Sequence, residues 1–152
     1  MSAGEKARKG PPTRDDYRVF YPLTTRWADN DIYGHINNVV YYAYFDTAAN
    51  RYLIEEGGLD IANAEVVGFV VNSGCEYHAP ITHPDNIEAG LRVDRLGNSS
   101  VQYGIGIFRE GQELCCANGH FVHVFVDRAS NQSVPIPETL RAALARITVD
   151  AS

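Results

Sequence analysis

The chain has 152 residues, of which 45% are apolar and 21% are charged, and this composition is typical of one globular domain. The net charge of −6 argues against a basic surface for nucleic acid, and no apolar run approaches the ~20 residues of a membrane span. The three cysteines, two of them adjacent, do not form a disulfide framework. Together with an N-terminal segment that lacks the apolar stretch of a secretory signal, they predict a location in the reducing cytoplasm.

The first segment of the chain, residues 1–16, is polar, basic and proline-containing. This composition predicts a disordered N-terminal arm, followed by a single domain over residues 17–148. The domain begins with a strand predicted across Tyr17–Trp27. A polar, turn-rich stretch then leads to His35.

The only long helical pattern of the sequence runs from Asn38 to Glu56. Its polar residues fall on one face and its apolar residues form a wide stripe on the other, as in a helix that packs against a core. Asn37 or Asn38 is expected to cap its first turn, and Gly57-Gly58 is expected to end it.

After the helix the apolar pattern changes to the period of two that is typical of strands. Strands joined by short turns pair antiparallel, so we expect an α+β domain with a five-stranded antiparallel sheet against one long helix. A single helix cannot cover so wide a sheet, which predicts an oligomer. The predicted elements are strands Val66–Tyr77, Asn86–Leu96, Val101–Phe108 and Leu114–Val126, the last with an irregularity at Gly119, and a short closing helix Pro137–Ile147.

The densest polar cluster lies between the first strand and the long helix. A helix start presents backbone N–H groups without partners, which suit an anion or a developing oxyanion. A carboxylate beside such donors can act as nucleophile or general base. The residues also fit a turn in which Asx side chains only cap the helix. The cluster contains Asp29, Asp31, Gly34, His35, Asn37 and Asn38.

The longer sequence around this cluster resembles the signature of the hotdog-fold acyl-CoA thioesterases, most closely the 4-hydroxybenzoyl-CoA thioesterase-like family. The residues that carry the resemblance are Arg26-Trp27-Ala28-Asp29-x-Asp31-x-x-Gly34-His35-x-Asn37-Asn38-x-x-Tyr41-x-x-Tyr44-Phe45. Weaker matches extend it over about Arg18 to Leu144, and they are Tyr77-x-x-Pro80, Asp85 with Ile87, Gly97-x-Ser99-Ser100 and Val134-Pro135-Ile136-Pro137.

The resemblance implies a hotdog fold, with the five-stranded sheet wrapped around the long helix, and a homodimer or homotetramer whose acyl pocket lies at the dimer interface. It implies hydrolysis of an acyl-CoA, with Asp31 as nucleophile or general base and the Asn38 backbone N–H as oxyanion donor. His35 and Asn37 would orient these groups. No metal or redox cofactor is implied, since coenzyme A is part of the substrate. The substrate contacts that it implies are Tyr33, Gly34, Tyr41, Ser99 and Ser100.

Three alternatives remain open on the sequence. The chain could be a non-catalytic protein that binds an acyl thioester, although an intact Asp31 argues against a pure binder. It could be a hydratase or dehydratase of the same fold, but Asp31-x-x-x-His35 lacks the proline that follows in those enzymes. Some members of the resembled family hold the coenzyme A phosphates with basic residues in the turn that matches Gly97–Ser100. This turn contains none, so the thiol carrier could bind differently or be an acyl carrier protein.

The remaining histidines and cysteines do not predict a site. His120 and His123 are expected on opposite faces of one strand, which does not favour a metal site. The adjacent Cys115 and Cys116 also alternate between faces, and this favours buried thiols over a redox pair. We expect Asp29 to cap or brace the turn before the helix.

Overall fold

The computed structural model describes residues 10–149. Five strands form one antiparallel sheet, and the longer of two helices packs across one of its faces, which confirms the predicted α+β fold. Neither helix in the described residues is long and apolar enough to cross a membrane. The elements are β1 (Val19–Thr24), α1 (Val40–Glu55), β2 (Val66–Tyr77), β3 (Asn86–Leu96), β4 (Ser100–Arg109), β5 (Ala117–Asp127) and α2 (Glu138–Arg146).

The strands lie in the order β1-β3-β4-β5-β2, which departs from the order of the chain. β3, β4 and β5 pair with their sequence neighbours, whereas β2 lies at the far edge and pairs with β5. Tyr77 at the end of β2 lies opposite Ala117 at the start of β5. The turn between β3 and β4 therefore lies at the other end of the sheet, where Ser100 pairs with Val124.

The long helix packs on the sheet through its apolar stripe. Phe45 meets Phe121 of β5 edge-on, with the ring centroids 6.0 Å apart. Ala48 is fully buried, and its small side chain lets the helix approach the strands closely. The buried residues of α1 recur at intervals of three and four and are Tyr41, Tyr44, Phe45, Ala48, Ala49, Tyr52 and Leu53.

The irregularity predicted at Gly119 is wrong. Gly119 pairs with Cys75 in regular register. A Cβ at Gly119 would lie 2.1 Å from the Gly74 carbonyl oxygen and 2.6 Å from the Phe45 ring, so the glycine serves close packing and does not bend the strand. The register shifts of the sheet lie in β2 between Val70 and Asn72 and in β3 between Val93 and Arg95.

The long helix begins at Val40, two residues after the predicted start at Asn38. Val39 occupies the N-cap position without a side-chain cap, so the cap predicted at Asn37 or Asn38 is wrong. Asn37 closes the turn just before the helix instead, because its Oδ1 accepts a hydrogen bond from the Val39 N–H at 3.0 Å. At its other end α1 stops at Glu55.

Two strands are shorter than the sequence predicts. β1 ends at Thr24, and Trp27 opens a 3₁₀ turn. β5 begins at Ala117. Leu114, predicted as the first residue of β5, forms an isolated bridge with Thr13 instead.

The predicted disordered arm is also too long. Its residues 1–9 lie outside the described residues. Arg14, however, forms an ion pair with Glu88 at 2.8 Å, and its guanidinium lies 4.8 Å from the centroid of the Phe108 ring. The boundary predicted after residue 16 is therefore wrong, because Arg14 already belongs to the packed domain.

β2 forms a long edge of the sheet. It contains 12 residues, and its outer side has no neighbouring strand within the described chain. Phe69, Val70 and Val71 in its middle are exposed. Natural proteins seldom leave a long apolar edge strand open, so this edge is suited to pairing with another chain.

Candidate active site

The 3₁₀ turn after β1 is closed by a buried carboxylate, Asp29, which is 1% exposed. Its Oδ1 accepts hydrogen bonds from the Arg26 guanidinium at 3.0 and 2.8 Å, and its Oδ2 accepts from the Arg26 N–H at 3.0 Å and the Tyr44 hydroxyl at 3.2 Å. Burial raises the pKa of Asp29, but the hydrogen bonds from Arg26 and Tyr44 outweigh it and lower that pKa overall. Asp29 therefore braces the turn, as expected.

Asp31 lies two residues further along the chain, in a compact turn that precedes the start of α1. Its N–H donates to the His35 carbonyl at 2.8 Å, and its carbonyl accepts from the Gly34 N–H at 3.0 Å. The turn needs a positive φ of 83° at Gly34, which glycine adopts without strain. The Asp31 Oδ1 accepts from the Tyr33 N–H at 2.8 Å, whereas its Oδ2 has no donor among the described residues. One oxygen of this carboxylate is thus available to a ligand.

Asp31 opens into a cleft of about 480 Å³ between the start of α1 and the end of β2. The cleft has a polar rim from the predicted cluster and an inner wall of aromatic rings. Burial raises the pKa of Tyr41 to about 12, so its hydroxyl stays protonated at neutral pH. The lining residues are Asp31, His35, Ile36, Asn38, Tyr41, Tyr77, His78, Ala79 and Pro80.

The residue that carries an unused backbone donor just before α1, Asn38, lines this cleft. Asn37 is fully engaged, since its N–H donates to the Asp29 carbonyl at 2.8 Å and its carbonyl accepts from the Val40 N–H at 2.9 Å. The next N–H, of Asn38, has no acceptor among the described residues. A donor at a helix start beside a carboxylate can stabilise negative charge on a carbonyl oxygen.

The structure brings together four of the nine predicted site residues: Asp31, His35, Asn38 and Tyr41 line one cleft. The Asn37 side chain is used in the turn before the helix. Tyr33 is 79% exposed and does not line the cleft, and Gly34 supplies only the turn. Ser99 and Ser100 lie at the opposite end of the sheet, where the Ser99 carbonyl accepts from the Phe125 N–H at 2.8 Å. Within one chain they are not part of this cleft.

Two cleft residues at the end of β2 received no role from the sequence. The Tyr77 hydroxyl donates to the Asn38 carbonyl at 3.0 Å, and its ring meets the Tyr41 ring edge-on at 5.2 Å. His78 Nε2 lies 2.6 Å from Asn118 Oδ1. The sequence signal was the match at Tyr77-x-x-Pro80, but nothing in it places this segment against the start of α1.

The other histidines and the cysteines are engaged in packing. His120 contacts Asn72 at 2.7 Å, whereas His123 is buried against the Tyr103 hydroxyl at 3.1 Å, on the opposite face, as predicted. Within residues 10–149, no group of three or more His, Cys, Asp or Glu side chains is arranged to hold a metal ion. Cys115 and Cys116 are both buried, in two separate apolar clusters, which confirms their opposite orientations.

Comparison with known proteins identifies relatives over nearly the whole domain. The PA5185 protein from Pseudomonas aeruginosa strain PAO1 is 60% identical, with a TM-score of 0.91 over 93% of this chain and 99% of that chain. The PA2801 protein from Pseudomonas aeruginosa is 31% identical, with a TM-score of 0.74 over 82% of this chain and 96% of that chain.

The BH1999 gentisyl-coenzyme A thioesterase is 22% identical, with a TM-score of 0.73 over 83% of this chain and 99% of that chain, so it shares the fold. These similarities confirm the hotdog fold implied by the sequence. The model of the thioesterase-like superfamily matches residues 25–144. The chain therefore belongs to the thioesterase-like superfamily.

Proposed function

We propose that this chain hydrolyses an acyl-CoA to a carboxylic acid and free coenzyme A. The observation that carries the proposal is a cleft lined by both Asp31 and Asn38. Among the described residues, one oxygen of the Asp31 carboxylate has no donor and the Asn38 N–H has no acceptor. Membership of the thioesterase-like superfamily supports thioester chemistry at this cleft. A structural neighbour named as a gentisyl-coenzyme A thioesterase supports coenzyme A as the thiol carrier.

In the proposed reaction the thioester carbonyl oxygen accepts a hydrogen bond from the Asn38 N–H. Asp31 either takes a proton from an attacking water molecule or attacks the carbonyl carbon itself, giving a mixed anhydride that water then hydrolyses. In both routes negative charge develops on the carbonyl oxygen as the new bond forms, and the C–S bond breaks to release the thiolate. The Asn38 N–H and the dipole of α1 stabilise this charge.

His35 has a supporting role in this proposal. Its ring is exposed at the rim of the cleft and has no partner among the described residues, and its carbonyl holds the Asp31 N–H at 2.8 Å. The imidazole can therefore donate a hydrogen bond to the substrate while its backbone fixes the Asp31 turn. We expect His35→Ala to lower turnover less than the loss of Asp31.

We further propose that the active form is a homodimer, or a pair of dimers, joined along β2. The long edge of this strand is open and apolar at Phe69, Val70 and Val71, and pairing with a second copy would cover it. The cleft lies beside the end of β2, so a partner would form its second wall. We assign Ser99 and Ser100 to the cleft of a partner subunit, since they lie away from the cleft of their own chain.

The test is thiol release from acetyl-, octanoyl- and benzoyl-CoA, followed with a thiol reagent and compared between the unaltered protein and Asp31→Asn. Asp15→Asn is the matched control, because it makes the same chemical change on an exposed side chain. We expect release by the unaltered protein and by Asp15→Asn, and little release by Asp31→Asn. Binding without release would instead indicate a non-catalytic binder. With an enoyl-CoA as a fourth substrate, loss of the enoyl absorbance without thiol release would indicate a hydratase.

A further inference from the structure

We propose that Tyr77 is a positioning residue that fixes the direction of the Asn38 N–H, and this inference rests on the proposed function. Tyr77 is the last residue of β2, and its hydroxyl donates to the Asn38 carbonyl at 3.0 Å. The bond joins the end of an edge strand to the peptide just before the first turn of α1. Tyr77 thus acts on the reaction through Asn38.

The Tyr77 bond completes a clamp on the peptide group that joins Asn38 to Val39. The carbonyl of this peptide accepts from Tyr77, and its N–H, on Val39, donates to Asn37 Oδ1 at 3.0 Å. The preceding peptide, which carries the Asn38 N–H, is held through the Asn37 carbonyl by the Val40 N–H at 2.9 Å. With both neighbouring contacts fixed, the Asn38 N–H has little freedom to turn away from the cleft.

The ring of Tyr77 is itself held in place by aromatic packing. It meets Tyr41 edge-on at 5.2 Å, and Tyr41 meets Tyr44 edge-on at 6.0 Å. Tyr44 in turn donates to Asp29, whose carbonyl accepts the Asn37 N–H at 2.8 Å. The segment from Asp29 to Asn38, which contains Asp31, is therefore held near one end by the bonds of Asp29 and at the other by the Tyr77 bond to Asn38.

Removal of the hydroxyl should weaken orientation and spare the fold. Tyr77 is 46% exposed, so in Tyr77→Phe water can reach the Asn38 carbonyl while the ring keeps its contact with Tyr41. Direct loss of one oxyanion donor typically costs ~10²–10³-fold in kcat. Because the Asn38 N–H remains in Tyr77→Phe but is less well aimed, we expect a smaller fall in kcat.

The kinetic test compares Tyr77→Phe with Tyr52→Phe, using the substrate that is turned over fastest among acetyl-, octanoyl- and benzoyl-CoA. Tyr52→Phe removes the same kind of bond, from a tyrosine hydroxyl on α1 to the Ala143 carbonyl on α2, away from the cleft. We expect Tyr77→Phe to lower kcat about tenfold with KM unchanged. Tyr52→Phe should lower the melting temperature and leave kcat unchanged.

A second readout needs no substrate. In ¹⁵N-labelled protein, Tyr77→Phe should shift the Asn38 amide resonance and speed hydrogen exchange at the Val39 amide, and Tyr52→Phe should change neither. The positioning role alone is overturned if the unaltered protein is active and Tyr77→Phe keeps the full kcat. It is also overturned if Tyr77→Phe leaves both the Asn38 amide shift and the Val39 exchange rate unchanged. Failure of the unaltered protein to hydrolyse any of the three substrates overturns the proposed function, and the role of Tyr77 with it.

Discussion

Asp29 and Asp31 lie two residues apart in one loop, yet their surroundings are opposite. Both oxygens of Asp29 accept hydrogen bonds, from Arg26 and Tyr44, and the side chain is buried. Asp31 is partly exposed, and among the described residues its side chain accepts a single hydrogen bond, from the Tyr33 N–H. The number of partners, which the residue type does not reveal, separates a carboxylate that braces the fold from one that is free for chemistry.

The largest expected effect is on the free carboxylate. Asp31→Asn keeps the size of the side chain but removes its charge, and an amide neither attacks a thioester nor accepts a proton at neutral pH. Steady-state kinetics should show kcat lower by about 10²–10⁴-fold, with some rate left because the Asn38 N–H remains. Thermal unfolding should be unchanged. A variant with more than a third of the original kcat would break the comparison.

The braced carboxylate should show the reverse pattern. Asp29→Asn replaces an acceptor of several charge-assisted hydrogen bonds by a side chain whose NH₂ faces the Arg26 and Tyr44 donors. We expect the free energy of unfolding to fall by about 3 kcal/mol, measured with urea at fixed protein concentration. Tyr44→Phe, which removes one donor, should cost less. Unchanged stability combined with lost turnover would mean that the roles of the two carboxylates are exchanged.

A buried histidine extends the comparison beyond the loop. His123 is 2% exposed and contacts the Tyr103 hydroxyl, and burial lowers the pKa of His123 to about 4. The unfolded chain, with an ordinary histidine pKa of about 6.5, takes up the proton first as the pH falls. The contribution of neutral His123 to the stability of the folded protein is therefore complete above about pH 6.5 and is lost progressively toward pH 4.

By about pH 5 this linkage should remove about 2 kcal/mol from the free energy of unfolding relative to pH 7.5. Urea unfolding at the two pH values measures the loss. His123→Phe, which keeps an aromatic ring without a titrating group, should reduce the difference between the two pH values. The same pH dependence in the variant and the unaltered protein would exclude His123 as its source.

Much of the fold can be predicted from local sequence patterns. The period-two stretches and the wide apolar stripe place β2, β3 and α1 to within two residues, because each pattern reports which face of an element is buried. The position of β2 at the far edge of the sheet is a long-range choice without a local signal. The glycine at Gly119 likewise reports a contact with Phe45, which is distant in sequence.

The candidate site divides in the same way. Asp31, His35 and Asn38 lie close in sequence, so their position at a helix start and the family resemblance both predict that they act together. Tyr77 enters the cleft from the end of β2, and only tertiary packing shows that its hydroxyl reaches the Asn38 carbonyl. Local sequence predicts that Asp29 braces the turn, but its hydrogen bond from Tyr44, a residue on the helix, is a product of tertiary packing.

The smallest expected effect on stability comes from the N-terminal segment. The polar sequence of this segment gave no indication that Arg14 is packed against the domain. Arg14 forms an ion pair with Glu88, and its guanidinium lies over Phe108 and donates to the Gln112 carbonyl at 2.7 Å. Cation–π contacts and partly exposed ion pairs each contribute about 0.5–1 kcal/mol. Arg14→Ala should therefore lower the free energy of unfolding by about 1 kcal/mol, measured with urea at neutral pH.

Arg18→Ala is the matched control, because Arg18 is an exposed arginine just after this segment and its side chain has no partner among the described residues. It should leave stability within a few tenths of a kcal/mol of the unaltered protein. Neither variant should change kcat, since both side chains lie away from the cleft. If Arg14→Ala and Arg18→Ala were equally stable, the prediction of a solvated N-terminal arm would hold for this segment. A loss of stability confined to Arg14→Ala would show that a basic residue outside any apolar pattern can still stabilise the sheet. The number of partners of the side chain would then distinguish Arg14 from Arg18, as it distinguishes Asp29 from Asp31.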